Sequence, residues 1–181
     1  ASLEAFVNEV EAMVTLQHPN ILSIVGVSMD VTPFCIVTEY MDLGDLRTYL
    51  LDRAAAVGEV TCEQANPVPQ LADICNQVAC GMQYLSEMGY IHCDLAARNC
   101  FLRSPMTEKI GDFGMTQKRV TTEITGPQPF RWMAPETLAT GLITSQSDVW
   151  AYGVLVWEVF SFGATPYCHL TNKEVRKAVL M

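Results

Sequence analysis

Positive charge is scarce in this sequence. Eleven Lys and Arg stand against 20 Asp and Glu in 181 residues, a net charge of −9, which argues against a protein that coats nucleic acid. Long apolar runs are missing too. The most continuous, Val149–Trp157, falls well short of the roughly 20 residues that a membrane-spanning helix needs. Residues 1–17 carry three glutamates in an amphipathic pattern, so no secretory leader is read there. No CxxC pair occurs among the seven cysteines. The odd count and loose spacing exclude a disulfide scaffold or zinc ribbon and fit free thiols in a reducing compartment. Repeats and low-complexity tracts are absent as well. What remains is 50% hydrophobic and 9% aromatic, and a chain of this length can bury about 70% of its surface.

Leu3, Phe6, Val7, Val10, Met13 and Val14 recur at helical spacing and predict a helix over 2–16, stopped by His18-Pro19-Asn20. Two β-rich runs follow, Ile21–Val27 and Phe34–Tyr40. Met41–Gly44 reads as a connector into a short helix, Asp45–Asp52, and residues 54–69 as a surface connection. Leu71, Ile74, Cys75, Val78, Met82 and Leu85 mark a long helix ending at Gly89. Short strands are expected around Cys100–Arg103 and Lys109–Gly111, then a polar, threonine-rich loop over 115–131. Ser145-x-x-Asp148 reads as a capping box opening an almost wholly apolar helix to about Phe160, which such hydrophobicity places at the domain centre. Thr171-x-x-Glu174 caps a last helix running to Met181. Strands first and helices later make an α+β plan.

Three polar motifs interrupt this pattern in a fixed order. His92-Cys93-Asp94-Leu95-Ala96-Ala97-Arg98-Asn99 lies between the long helix and a strand. Asp112-Phe113-Gly114 begins 18 residues beyond Asp94, and Ala134-Pro135-Glu136 begins 22 beyond Asp112. One DFG alone is often only a turn. The ordered set resembles the protein kinase family, whose signature is a catalytic-loop Asp with Asn five residues on, then DFG, then APE.

The resemblance implies a two-lobe kinase fold: residues 1–40 as the remainder of a small β lobe, 41–44 as hinge, and 45–181 as a mainly helical large lobe. It implies ATP as cofactor with Mg²⁺, Mn²⁺ being a possible substitute. Asp94 would orient and deprotonate the attacking hydroxyl, and Asn99 and Asp112 would offer the hard oxygens that magnesium takes. Glu9 matches the glutamate that pairs with the nucleotide-binding lysine, although by residue type alone it is equally a solvated helix face. Ile36-Val37-Thr38-Glu39-Tyr40-Met41 resembles the hinge. There the Glu39 carbonyl and the Met41 N–H would meet the adenine edge, Thr38 would border the pocket behind it, and Phe101 would supply apolar floor. His92 is either a general base or a packed histidine beside Phe113, and the motif favours the second. Met13, Ile24, His92 and Phe113 would stack as an internal column anchored by Asp148.

The subclass is legible as well. Asp94-Leu-Ala-Ala-Arg98-Asn99 is similar to the tyrosine kinase form, with Arg98 beside the substrate phenol. Pro129-Phe130-Arg131-Trp132-Met133-Ala134-Pro135-Glu136 resembles the tyrosine kinase substrate platform, with Pro129, Arg131 and Trp132 as substrate-binding residues and Glu136 awaiting an arginine partner. Cys100 and Ile110–Thr116 lean toward the insulin-receptor-like group of receptor tyrosine kinases. The resemblance thus implies tyrosine-bearing protein substrates, a possible homodimer through a parent receptor, and a place at the cytoplasmic face of the plasma membrane, with no nucleic acid partner and no membrane contact by this stretch itself. The contrasting reading is a pseudokinase scaffold that binds partners without turnover.

Three departures qualify this picture. No glycine-rich loop and no VAIK lysine precede Glu9, so the stretch reads as a fragment that alone is expected to be inactive and to expose sheet edges. Cys93 stands where active kinases usually have an arginine that meets a loop phosphate, and cysteine offers only a weak donor. No tyrosine lies between Asp112 and Glu136. Either Cys93 is a neutral substitution, or the intact kinase needs no loop tyrosine phosphorylation.

Overall fold

The computed structural model describes residues 3–30, 32–57, 68–118 and 128–181. The expected helices and strands are present, with shifted ends. Helix α1 (Leu3–Thr15) turns Ala12 and Met13 inward. Strands β1 (Ile24–Ser28) and β2 (Cys35–Thr38) pair antiparallel. The first strand, expected from Ile21, starts later because its leading residues have another partner. Leu22 N–H donates to the Ile110 carbonyl at 2.8 Å, and Ile110 N–H to the Asn20 carbonyl at 3.0 Å. Ile21 and Leu22 are therefore buried against a distant strand.

Strand β3 (Gly44–Asp45) leads into α2 (Leu46–Val57), where Asp45 Oδ1 accepts from Thr48 N–H at 2.9 Å. This helix outruns its expected end at Asp52 because Ala54, Ala55 and Ala56 follow, and alanine is the strongest helix former. The connection read over 54–69 thus shortens, and its part at 58–67 lies outside the described residues. Helix α3 (Val68–Glu87) carries Pro69 in its first turn, where a missing N–H costs nothing. Its buried stripe is Leu71, Ile74, Cys75, Val78, Gly81 and Leu85. A Cβ at Gly81 would sit 2.8 Å from both the Asn20 carbonyl and the Ile110 side chain, so only glycine allows this approach.

After α3 come β4 (Tyr90–Ile91), a 3-10 turn (Ala97–Asn99), β5 (Cys100–Arg103), β6 (Thr107–Ile110) and β7 (Gln117–Lys118). Strands β3, β5 and β6 form one antiparallel sheet, and β4 pairs with β7. Strand β7 takes the start of the loop expected over 115–131; residues 119–127 lie outside the described residues. Helices α4 (Pro135–Thr140), α5 (Ser145–Phe160) and α6 (Asn172–Val179) complete the chain. Helix α6 has the expected Thr171–Glu174 capping box. In α5 the box is displaced by one residue: Thr144 N–H donates to Ser147 Oγ at 3.0 Å, which frees Asp148 for other donors. The almost wholly apolar sequence of α5 implies burial all round, but only one face is buried: Val149, Trp150 and Trp157 on the other are exposed and line an open groove with Pro166, Tyr167 and His169.

Two glutamates, Glu108 and Glu158, are among the residues that break the hydrophobic rule in the core. Glu108 on β6 is fully buried, neither carboxyl oxygen has a hydrogen-bond partner, and Cys75 and Cys100 are close neighbours. Burial pushes its carboxyl up to about 8, because charge is disfavoured in an apolar medium. The folded state therefore holds a proton that the unfolded chain releases near pH 4.5. Glu108 accordingly removes stability as pH rises from about 4.5 to about 8, by up to about 5 kcal/mol in all. Glu108→Leu is expected to raise the melting temperature at pH 8 by several degrees, and by much less at pH 5. Equal shifts at both pH values would show that Glu108 does not carry this term.

Candidate active site

The loop that links β4 to the 3-10 turn is held from below by α5. Both oxygens of Asp148 accept backbone N–H groups, Oδ2 from His92 at 2.7 Å and Oδ1 from Cys93 at 3.1 Å. Burial raises the Asp148 carboxyl, and His92 with those two N–H groups opposes the rise. Cys93 adopts the left-handed conformation, φ 69°, which the paired N–H groups help to hold. Its thiol donates to the Ile91 carbonyl at 3.3 Å and is pushed up to about 12 by burial, then by the Asp148 charge, so it is no nucleophile at neutral pH. His92 is buried with both ring nitrogens engaged: Nδ1 accepts from Asp94 N–H at 3.3 Å and Nε2 reaches the Gly111 carbonyl at 3.1 Å. The ring lies 5.6 Å from that of Phe113. This is the packed histidine of the two readings, not a free base.

Asp94 stands at the loop's crest among convergent donors. Asn99 Nδ2 donates to the Asp94 carbonyl at 2.7 Å and to its Oδ2 at 2.9 Å, and Arg98 Nη2 pairs with its Oδ1. Desolvation raises the Asp94 carboxyl, opposed chiefly by Arg98 and by Asn99. With its amide nitrogen so engaged, Asn99 has its side-chain oxygen available as an acceptor. Asp94, Pro129 and Trp132 line one small cleft together. The Arg98 guanidinium lies 4.4 Å from the Trp132 ring centroid. Arg131 is different: its guanidinium donates to the carbonyls of Pro166, Tyr167 and Leu170 at 2.6–2.8 Å. Its donors therefore clamp the platform from behind, where the sequence had placed them toward substrate. Glu136 is exposed in the first turn of α4.

A second group of carboxylates closes on the first. Asp112, at φ 59°, is exposed and near enough to Glu9 and Asp94 to raise both, behind the larger effect of burial. Phe113 and Met13 are in the core, with Ile24 packed against it, so the expected column residues share one cluster. Phe101 packs over Gly111, and Met41 is buried at the turn where its carbonyl accepts from Gly44 N–H at 3.1 Å. Thr38 ends β2, half-buried. The Glu39 side chain, expected only to flank a backbone contact, binds Lys109 Nζ at 2.6 Å, Ser23 N–H at 2.9 Å and Arg103 Nη1 at 3.0 Å. Burial raises this carboxyl, but Lys109 and Ser23 outweigh it and hold it below the ordinary value. Lys109 and Arg103 are remote from Glu39 in sequence, and no local pattern marks them as its partners.

Asp112 lies near both Glu9 and Asp94, and Arg98 is an ion-pair partner of Asp94, so the remaining negative charge calls for a further cation. Among the described residues no group of three or more His, Cys, Asp or Glu is placed to hold a metal by itself. Magnesium characteristically takes one or two protein oxygens and completes its shell with phosphate and water, and Asp112 with the Asn99 oxygen fits that demand.

A loop aspartate fixed by asparagine and arginine, backed by a DFG segment and anchored on a buried helix, defines a protein kinase catalytic core. The chain belongs to the protein tyrosine and serine/threonine kinase family, whose profile matches residues 1–180. It is 42% identical over 180 residues to ephrin type-A receptor 5 of Rattus norvegicus, covering 96% of this chain and 17% of that protein. The human protein of that name is also 42% identical, with 16% of it covered. The tyrosine-protein kinase transmembrane receptor Ror of Drosophila melanogaster is 37% identical over 175 residues, covering 94% of this chain and 25% of the receptor. The chain thus spans a quarter or less of these relatives. They are receptor tyrosine kinases, and the similarity holds at that level.

The tether at Asp148 makes a direct prediction. Asp148→Ala leaves two backbone N–H groups unpaired, each worth about 1–3 kcal/mol when buried. The urea midpoint should fall by an amount equal to about 2–4 kcal/mol at unchanged slope. An unaltered midpoint would show that α5 does not hold the loop.

Proposed function

We propose that this chain is the catalytic core of a receptor-type protein tyrosine kinase that moves the ATP γ-phosphate to tyrosine hydroxyls of protein substrates. The observation that carries the reading is Asp94, partly desolvated and oriented by Asn99 and Arg98. In this reading residues 1–40 belong to the small lobe, 41–44 to the hinge and 45–181 to the large lobe. The adenine edge meets the Glu39 carbonyl and Met41 N–H, with Thr38 and Phe101 bordering the pocket, and Glu9 awaits a lysine. Asp112 and Asn99 would hold magnesium, which would supply neutralisation of phosphate charge. Asp94 accepts the proton of the attacking phenol, and Arg98 balances charge beside it. Pro129 and Trp132 shape the platform for the tyrosine side chain, while Arg131 braces it. Phe113, Met13, Ile24 and His92 form the column, and Glu136 takes an arginine partner.

The names of two relatives, a receptor and a transmembrane receptor, support a place in a membrane receptor; in this reading the chain lies on its cytoplasmic side, with dimerisation through the parent receptor. No helix among the described residues is long and apolar enough to cross a membrane. Intact Asp94, Asn99 and Asp112 favour an active enzyme over a pseudokinase scaffold.

In the full-length protein, Asp94→Asn should lower turnover by about 10²–10⁴, the usual scale of general-base help. Nucleotide affinity should hardly change, because Asp94 does not hold the metal. Steady-state kinetics beside a nucleotide titration checks this, and near-normal turnover would sink the assignment. Cys93 and the tyrosine-free segment 112–136 support a second expectation. Phosphatase treatment should leave activity intact, and Cys93→Arg should not make it phosphorylation-dependent. Activity that is abolished by phosphatase, with the lost phosphate mapped to 115–131, would contradict it.

A further inference from the structure

Glu158 belongs to none of the motifs above. Its side chain is fully buried, one helical stretch beyond Asp148 on the inward face of α5. One oxygen, Oε2, accepts from two separate segments: the Ala97 N–H of the 3-10 turn at 3.0 Å and the Trp132 indole N–H at 2.8 Å. The other, Oε1, has no hydrogen-bond partner. Burial raises this carboxyl, against the two donors and the charges of Arg98 and Arg47.

Arg98 meets the face of the same indole whose edge N–H is held by Glu158, and this gives the arrangement its consequence. The Arg98 guanidinium rests on the Trp132 ring and pairs with Asp94 Oδ1. A long, partly exposed arginine does not by itself hold a carboxylate in one orientation, since its many rotamers compete. Here its backbone neighbour Ala97 and the surface beneath its head are both fixed by one oxygen of Glu158.

Resting on the kinase reading above, we propose that Glu158 is a positioning residue for phosphotransfer: it locks the Ala97 turn and the Trp132 ring together, so that Arg98 holds Asp94 in one orientation toward the acceptor hydroxyl. Glu158 touches no reacting atom. Its effect reaches the chemistry through two intermediates, Trp132 and Arg98, and joins the platform segment to the catalytic loop.

The test uses the full-length protein with ATP and a random copolymer of glutamate and tyrosine. Trp132→Phe keeps an aromatic surface under Arg98 but removes the N–H, and kcat should fall about ten-fold with KM for ATP within about two-fold. Glu158→Gln, whose amide oxygen accepts both bonds, should keep kcat within about three-fold, whereas Glu158→Ala should lose about 10–100-fold. In an Asp94→Asn background, Trp132→Phe should cost less than about two-fold more, because the group it positions has already gone. Wild-type kcat in Trp132→Phe, or an undiminished loss in the Asp94→Asn background, overturns the proposal. Should Glu158→Ala fail to fold, Trp132→Phe and its cycle with Asp94 still decide. Absence of phosphotransfer by the unaltered protein would defeat the kinase reading itself. An active protein that needs Asp94 but is indifferent to Trp132→Phe would defeat only the positioning role.

Discussion

The carboxylate of Asp148 is the constraint on which the site depends. It meets the backbone of His92 and Cys93 from a buried helix, and so fixes where the chain turns before Asp94 stands free. Without it, Cys93 would lose the bond that holds a left-handed backbone, and His92 would lose its register between Asp94 and Gly111. The histidine carries that order onward. One ring nitrogen sets the Asp94 backbone, the other ties the strand end before Asp112, and the ring face packs on Phe113. A single buried acid thereby aligns the two acidic loops that a phosphotransfer site brings together.

Electrostatics explains why those loops stay poised. Asp112 repels both Glu9 and Asp94, and Arg98, paired with Asp94, relieves only part of that charge. The unrelieved remainder is a site that favours cations and the phosphates they carry. Elsewhere the acids are treated differently. Glu39 is satisfied by two cations and a backbone N–H, which ties the start of β1 to β5 and β6. Glu108 has no such partners and stands as a local weakness in the core.

Much of the site was legible because kinase chemistry fixes residue types at fixed separations: Asp94, Asn99 and Asp112 lie together as their spacing implied. Periodicity located α1 and α3, whose patterns are long, whereas the nearly unbroken apolar run of α5 has no polar stripe to mark its exposed face. It failed where partners are remote or elements are brief. Ile21 was read into the first strand because nothing local reveals that Ile110 takes it. Strands β3, β4 and β7 have two residues each, too few for any period. Arg131 was read as facing substrate because a motif names residue types and not side-chain directions. The inward turn of Glu108 does have a local signal, since it shares a strand face with Ile110, two residues on.

The central claim is that this constellation serves a kinase that phosphorylates tyrosine. It is tested most directly by incubating the full-length protein with γ-labelled ATP, magnesium and a mixed protein substrate, then hydrolysing the product and separating the phosphoamino acids. The account predicts label in phosphotyrosine, lost when Asp112 is changed to Asn. Label confined to phosphoserine and phosphothreonine, or no transfer by a protein that binds ATP normally, would contradict it.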